Sequence, residues 1–257
     1  MGKKTKRQTQ MKDERRLYNN LAWTWPIISL PKDYREEAAH YKQVFKKYSR
    51  IKVKTLLNLG CGGGNVDWVL KKSFAVTGVD ISRNMLRIAQ RLNPEVRYQY
   101  GDMRTIRLGK SFDAVLIHDS INYMLTEKDL KSVFKTAYIH IKPGGMLLTY
   151  AEEHGRIKQH STKSSTHKKG NIEITFIEHQ SDPNPQDTTF ESTFIYLVRK
   201  NKKLKIYTDR HLCGIFPLTT WERLLKEIGF QVTRQKYHHS ELPRNAYFPE
   251  FVCLKSP

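Results

Sequence analysis

Cysteine is scarce: Cys61, Cys213 and Cys253 are the three in 257 residues. They are odd in number and far apart, without the paired spacing of a metal knuckle or the density of a secreted disulfide scaffold. Reduced thiols in a cytoplasmic setting are therefore expected, and no metal. His238-His239 has no matching ligand set and reads as surface. Long apolar runs are missing too. The most apolar segment, "LAWTWPIISL" at 21–30, is well short of the ~20 residues that span a bilayer. It contains Pro26, and no small-residue cleavage site follows it, so it reads as folded structure rather than a span or a leader. Lys6 stands where N-myristoylation needs Ser or Thr, which removes a lipid anchor at Gly2. No membrane partner is expected, and no internal repeat is present.

Acidic residues are few: 25 against 45 Lys and Arg, a net charge of +20. Residues 1–16, 156–169 and 199–205 each carry +5, so three short segments supply 15 of those charges. Solvated tails and loop faces are one reading, and a polyanion footprint is the other. Residues 1–16 are expected to be a disordered basic tail. The remainder, with 39% hydrophobic and 27% charged residues, has the composition of a soluble globular protein large enough for one domain with an insertion.

Along the chain, strands alternate with helices. Asp33 and Glu36 are spaced as a capping box for a helix over 33–48 with Tyr34, Ala38, Tyr41, Phe45 and Tyr48 at helical spacing. Short apolar runs follow: "TLLNL", "FAVTGV", "VRYQY", "FDAVLIH" and "GMLLTY". Between them lie a helix capped by Ser82 and another over 127–141 ended by "KPGG". This rhythm predicts a parallel, doubly wound α/β sheet. After Tyr150 the helices stop. "NIEITFIEHQ", "TTFESTFIYLV" and "KLKIYTDRHL" predict an inserted antiparallel meander of three strands. The α/β pattern then resumes, with Thr219 and Glu222 spaced as a second capping box and Gly229 as helix stop. It closes on "FQVTRQKY" and "YFPEFVCLK", where Pro249 suggests an edge or bulge. The expected organisation is 1–16 tail, 17–150 with 213–257 as the α/β domain, and 151–212 as an inserted cap.

"LLNLGCGGGN" puts bare backbone directly after the first strand of the sheet, where N–H groups can approach a ligand closely. It is not the dinucleotide pattern G-x-G-x-x-G, because Asn65 stands at the third required position. Gly60, Gly62 and Gly64 instead make G-x-G-x-G. Asp80 ends the second strand, where a carboxylate can accept from both ribose hydroxyls, and Asp102 lies on the same rim.

Together with "VTGVDISRNMLRIAQ", "YQYGDMRTIRL", "FDAVLIHDSINYM" and "IKPGGMLLTY", these motifs resemble the class I S-adenosylmethionine-dependent methyltransferases. The resemblance implies a Rossmann-like, mostly parallel seven-stranded sheet with its last strand antiparallel, and S-adenosyl-L-methionine as cofactor. It implies Gly60, Gly62 and Gly64 against the methionine part, Asp80 on the ribose and Ile81 beside the adenine. Asp102 and Met103 would meet the adenine edge, His118 would sit by the sulfonium, and Met85 is a further cofactor-side position. The family usually has an acidic residue at Asn58, which keeps the hydrogen bonding without the charge. The segment "YNNLAWTWPIISLPKDYREEAAHY" and the β insertion resemble small-molecule members, especially the amino-sugar and glycine N-methyltransferases. That makes Tyr18 and Tyr34 cofactor-side candidates, and Trp23 and Trp25 either lid residues or core anchors.

The implied activity is methyl transfer to N or O of a small acceptor, an anionic one being suggested by the basic insertion. The alternatives are an RNA methyltransferase and a non-catalytic cofactor binder. Against RNA, "HDSINY" stands where base N-methyltransferases carry an "NPPY"-like motif. His118, Tyr123, His154 and His211 are candidate bases or orienting groups, with a polar wall as the alternative role for each. His118-Asp119-Ser120 cannot be a hydrolase triad, because consecutive residues cannot converge in space. Monomer and homodimer both fit.

Overall fold

The computed structural model describes residues 15–152 and 160–257; the basic tail, apart from Arg15 and Arg16, lies outside them. The first sheet has seven strands. β1 (Thr55–Leu59), β2 (Ala75–Asp80), β3 (Arg97–Tyr100), β4 (Phe112–Ile117) and β5 (Ile141–Tyr150) are joined by β10 (Phe230–Tyr237) and β11 (Phe248–Lys255), in the order β10-β11-β5-β4-β1-β2-β3. β1 to β5 pair in parallel, and β11 runs antiparallel to both its neighbours. The chain leaves β1 for β2 on one side while β4 lies on the other, so a crevice opens at the carboxyl ends of β1 and β4.

Continuous apolar runs make these strands because both faces of the sheet are covered. Leu57, Leu59, Val115, Ile117 and Leu147 pack with Phe134 of α5 (Glu127–His140) and Trp221 of α6 (Leu218–Ile228). Their sequence neighbours Leu56, Ala114, Leu116, Met146 and Leu148 pack on the other face. There they meet Tyr41 and Phe45 of α2 (Arg35–Tyr48) and Val66 and Leu70 of α3 (Asn65–Leu70).

The second sheet is antiparallel, in the order β6 (Ser161–Lys169), β7 (Ile172–Ser181), β8 (Thr189–Lys200), β9 (Lys203–Gly214). Its inner face, with Ile174, Phe194, Tyr196 and Val198, packs on Leu17, Leu21, Ala22 and Ile27 of the N-terminal segment and on Met85 of α4 (Arg83–Leu92). That segment includes the one-turn helix α1 (Trp25–Ile28) and lies between the second sheet and the rim of the first.

The structure has four strands where sequence patterning predicts three. β6 is "STKSSTHKK", an edge strand exposed along most of its length, and it has no apolar alternation to betray it. Neither capping box forms. Asp33 closes a 3-10 turn over Pro31–Tyr34 by accepting from the Leu30 N–H, and α2 begins at Arg35. Glu36 instead accepts from Ser240. α6 starts after Pro217, and Glu222 pairs with Arg234. Ser82 does cap α4, accepting from the Met85 N–H at 3.2 Å, and Gly229 ends α6 at φ +111°. α5 ends at His140, and "KPGG" belongs to β5. Pro249 sits in an interior strand, where its carbonyl accepts from the Ala151 N–H at 3.0 Å and, having no N–H, it returns no bond, so the ladder with β5 ends there.

Candidate functional site

The glycine loop turns on three positive-φ residues, Gly60, Gly62 and Gly64. At Gly60 (φ +74°) a Cβ would fall 2.0 Å from Ser120 Oγ, so side chain and backbone both demand glycine. At Gly62 (φ +53°) a Cβ would meet nothing within 4 Å, which leaves an open cradle over the loop. Gly63 is bare because the Trp25 ring lies against it, with Cδ1 2.4 Å from where a Cβ would stand. Gly64 turns inward, towards Tyr98 and Asn93, and serves packing rather than the crevice. Asp80, at the end of β2, accepts from the Gly62 N–H at 2.8 Å and from the Ser82 N–H at 2.7 Å. One carboxylate thus ties the glycine loop to the start of α4. Beside it Ile81 is 37% exposed on the rim, and Met103 reaches towards Gly60.

Other cofactor-side expectations change. Met85 is fully buried under the second sheet among Leu17, Leu21 and Tyr196, a core residue held there by the docking of the cap. The carboxylate of Asp102 is taken by the Arg104 guanidinium at 2.6–3.1 Å, and Arg104 also bonds Asp129. Burial works against ionisation of Asp102, but Arg104 prevails and holds it below the usual carboxylate range. Asn58 is buried and donates to Asp67 Oδ1 at 2.8 Å, leaving its own Oδ1 without a partner among the described residues. Asp67, donated to by Tyr98 as well, is pushed up to about 6 by burial against those two hydrogen bonds. The carboxyl that Asn58 lacks is supplied next door, from α3.

His118 follows β4 at the crevice. Its Nε2 is 3.1 Å from Glu37 Oε2 and its Nδ1 3.0 Å from Asp119 Oδ2. Both are ion-pair distances, and a carboxylate on each side of the ring favours its protonated form. Burial opposes that charge, yet Asp119 and Glu37 outweigh it and raise the imidazolium to about 10. The ring is boxed by Tyr34, Tyr41 and Tyr150, with centroids 5.2 to 6.4 Å away. Tyr34 is fixed in turn by Ser29 Oγ at 2.9 Å. His118 is therefore a charged strut between α2 and the β4 rim, and has no lone pair to offer as a base. Histidine nitrogen spectra at pH 8 should show both its nitrogens protonated; a singly protonated ring there would refute this. The folded value lies above the unfolded one, so the stabilisation from this triad is full below about pH 6.5 and fades as pH rises through about 10.

The second group joins the two sheets. The Tyr18 and Tyr123 hydroxyls are 2.8 Å apart, and Tyr123 Oη is 2.8 Å from His211 Nδ1. His211 Nε2 is 2.8 Å from Asp209 Oδ2. Asp209 also accepts from the backbone N–H groups of Arg16 and Leu17. Burial pushes Asp209 up, but these donors keep it below the ordinary carboxylate range. The Tyr18 carbonyl accepts from Ser82 Oγ at 2.6 Å, which places this tyrosine on the rim beside Asp80. Glu178 shares the inner face of β7. It stands opposite Phe194, whose ring lies 4.4 Å from that of His211. Burial raises it, aided by Asp119 and opposed by Lys163 and His211. Trp23 is 43% exposed. His154 lies outside the described residues.

The structure thus unites Tyr18, Tyr123 and His211, and separately Tyr34 and His118. Sequence reading missed Asp209, Glu37 and Glu178. Only Asp209 left a signal, since it stands two residues before His211 in a strand and so shares its face.

The chain matches the family model described as a methyltransferase domain over residues 56–145. It is 31% identical over 185 residues to the Bacillus subtilis (strain 168) protein YqeM, whose name assigns it to the methyltransferases, covering 70% of this chain and 74% of that one. It is 27% identical over 207 residues to the dTDP-3-amino-3,6-dideoxy-alpha-D-glucopyranose N,N-dimethyltransferase of Streptomyces fradiae, covering 78% and 79% of the two chains. Among solved structures, DesVI of Streptomyces venezuelae superposes with a TM-score of 0.78 at 21% identity, over 88% of this chain and 93% of that one. The open space at Gly62, the Asp80 carboxylate bonded to its N–H and the buried Asn58 oxygen without a partner among the described residues fit the cofactor of such enzymes. No helix among the described residues is long and apolar enough to cross a membrane. The chain belongs to the class I S-adenosylmethionine-dependent methyltransferases.

Proposed function

We infer that this enzyme methylates the amine nitrogen of a small acceptor held between the rim of the first sheet and the inner face of the second, with residues 151–212 acting as an inserted cap. The observation that carries this reading is the polar group gathered where the sheets meet: the Tyr18 and Tyr123 hydroxyls, 2.8 Å apart, with the carboxylates of Asp119 and Glu178 nearby, a set that suits an ammonium or amine. Of the insertion's lysines, Lys163 stands opposite Glu178 across β6 and β7. Lys168, Lys169, Lys200, Lys202 and Lys203 flank the two hairpin turns at one end of the sheet, where they can steer an acceptor carrying negative charge on its far end. A nucleotide-linked amino sugar combines both features.

S-adenosylmethionine supplies the methyl group already activated on a sulfonium. The chain's own part is to hold, orient and dry the site. Gly60, Gly62, Asp80, Ile81 and Met103 form the cofactor side, with Asp80 set to accept from the ribose hydroxyls. Tyr34 and the His118 strut fix α2 against the rim, and Tyr18 and Tyr123 face the acceptor.

The test is incubation with methyl-labelled S-adenosylmethionine and extract of the source cells, fractionated into small molecules, RNA and protein. Label in a basic small molecule is expected, and label in RNA alone would overturn the reading.

A further inference from the structure

An amine acceptor must shed a proton before its lone pair can attack, and the site offers a route for it. Asp209 accepts at Oδ2 from His211 Nε2, so that nitrogen carries a proton, and in the neutral ring Nδ1 is then the bare one. Nδ1 therefore accepts from the Tyr123 hydroxyl, and Tyr123 oxygen is left to accept from Tyr18, each at 2.8 Å. Among the described residues the Tyr18 hydroxyl is given no hydrogen bond besides that to Tyr123, which leaves its oxygen able to accept from a ligand. His211 is completely buried, whereas Tyr18 and Tyr123 are only partly so. The chain of donors therefore has a closed end at Asp209 and an open end at the rim.

Resting on the proposed amine methylation, we propose that His211 is the terminal proton acceptor of a relay that runs from the acceptor through Tyr18 and Tyr123, with Asp209 as its positioning residue. The acceptor's ammonium gives a proton to Tyr18 oxygen as the Tyr18 proton moves to Tyr123 and the Tyr123 proton to His211 Nδ1. Both tyrosines end neutral, and the acceptor is left as a free amine. The positive charge now sits on His211 beside the Asp209 carboxylate. Burial keeps both tyrosines raised above their usual range, so they pass protons without resting as phenolates. The two histidine groups differ in kind: His118 stands between two carboxylates, whereas His211 has one carboxylate on one nitrogen and a tyrosine hydroxyl on the other.

The groups facing His211 come from every element around it. They are Asp209 and Cys213 on β9, Glu178 on β7, Tyr196 on β8, Tyr123 after β4, and Tyr18 with Arg15 and Arg16 on the N-terminal segment. Arg15 lies over the Tyr123 ring at 3.7 Å.

The first readout needs no acceptor. In the full chain labelled with nitrogen-15 histidine, His211 at pH 7.5 should show Nε2 protonated and Nδ1 bare, with the Nδ1 signal shifting in Tyr123→Phe. A proton on Nδ1, alone or with Nε2, would overturn the relay. The second uses the small molecule labelled by extract as probe. Tyr123→Phe and His211→Asn should each lower kcat by roughly 10²-fold at pH 7, with KM for S-adenosylmethionine unchanged. The deficit should shrink as pH rises past the acceptor amine's own pKa, where no proton needs removing. A deficit constant with pH would mean packing alone and overturn the relay. Failure of the wild type to label any small molecule would sink the functional reading, while the tautomer measurement still judges the hydrogen-bond order.

Discussion

Asp80→Ala is expected to raise the Kd for S-adenosylmethionine by roughly 10²-fold or more, the cost of two charge-assisted hydrogen bonds at ~1.5–3 kcal/mol each. Two losses combine. The proposed ribose contacts go, and so do the bonds from the Gly62 and Ser82 N–H groups that hold the loop against α4. Asp80→Asn separates them, because an amide oxygen can still accept from one of those backbone groups. Calorimetric titration of both variants against wild type is the measurement. Binding by Asp80→Asn near the wild-type level would mean that the loop tie matters and the charge does not. Wild-type binding by Asp80→Ala would remove Asp80 from the site.

Gly60→Ala is expected to lose about 2–4 kcal/mol of stability, visible as a fall in the denaturation midpoint. About 1–2 of that comes from forcing a side chain into left-handed backbone, and the rest from overpacking. The Cβ would stand 2.0 Å from Ser120 Oγ and 2.3 Å from Ser120 Cβ. Removing only the hydroxyl should therefore help little, and Ser120→Gly in the same chain should recover the steric part while leaving the φ cost. Full recovery in Gly60→Ala/Ser120→Ala would show that the loop can shift and that the backbone conformation is not what selects glycine.

The parallel sheet could be read from apolar runs because each of its central strands is covered on both faces, and such burial writes itself as consecutive hydrophobic residues. β6 could not, since an exposed edge strand needs only a partner's backbone, and polar residues serve it as well as any. The two capping boxes failed for a related reason. Glu36 and Glu222 found better partners, Ser240 and Arg234, in segments far away in sequence. Local spacing states what a side chain can reach within its own helix and says nothing of a competitor that folding brings closer.

The candidate site divides the same way. Gly60, Gly62 and Asp80 were legible because a strand, a turn and a rim carboxylate are local in sequence. His118 and His211 looked alike there, two histidines near strand ends. Asn58 looked like a lost charge, whereas Asp67, nine residues on, brings a carboxyl to its amide.

The alternation of strands and helices, the glycine loop and the methyltransferase resemblance were determined by sequence alone, through patterns that repeat over a few residues. Tertiary structure decided that His118 stands between two carboxylates while His211 has one, and that Glu178 and Asp119 come near enough to act on each other in a strongly basic chain. Protonation depends on what stands within about 4 Å, and the groups that stand there come from α2, the β4 rim, the N-terminal segment and the second sheet, up to 193 residues apart.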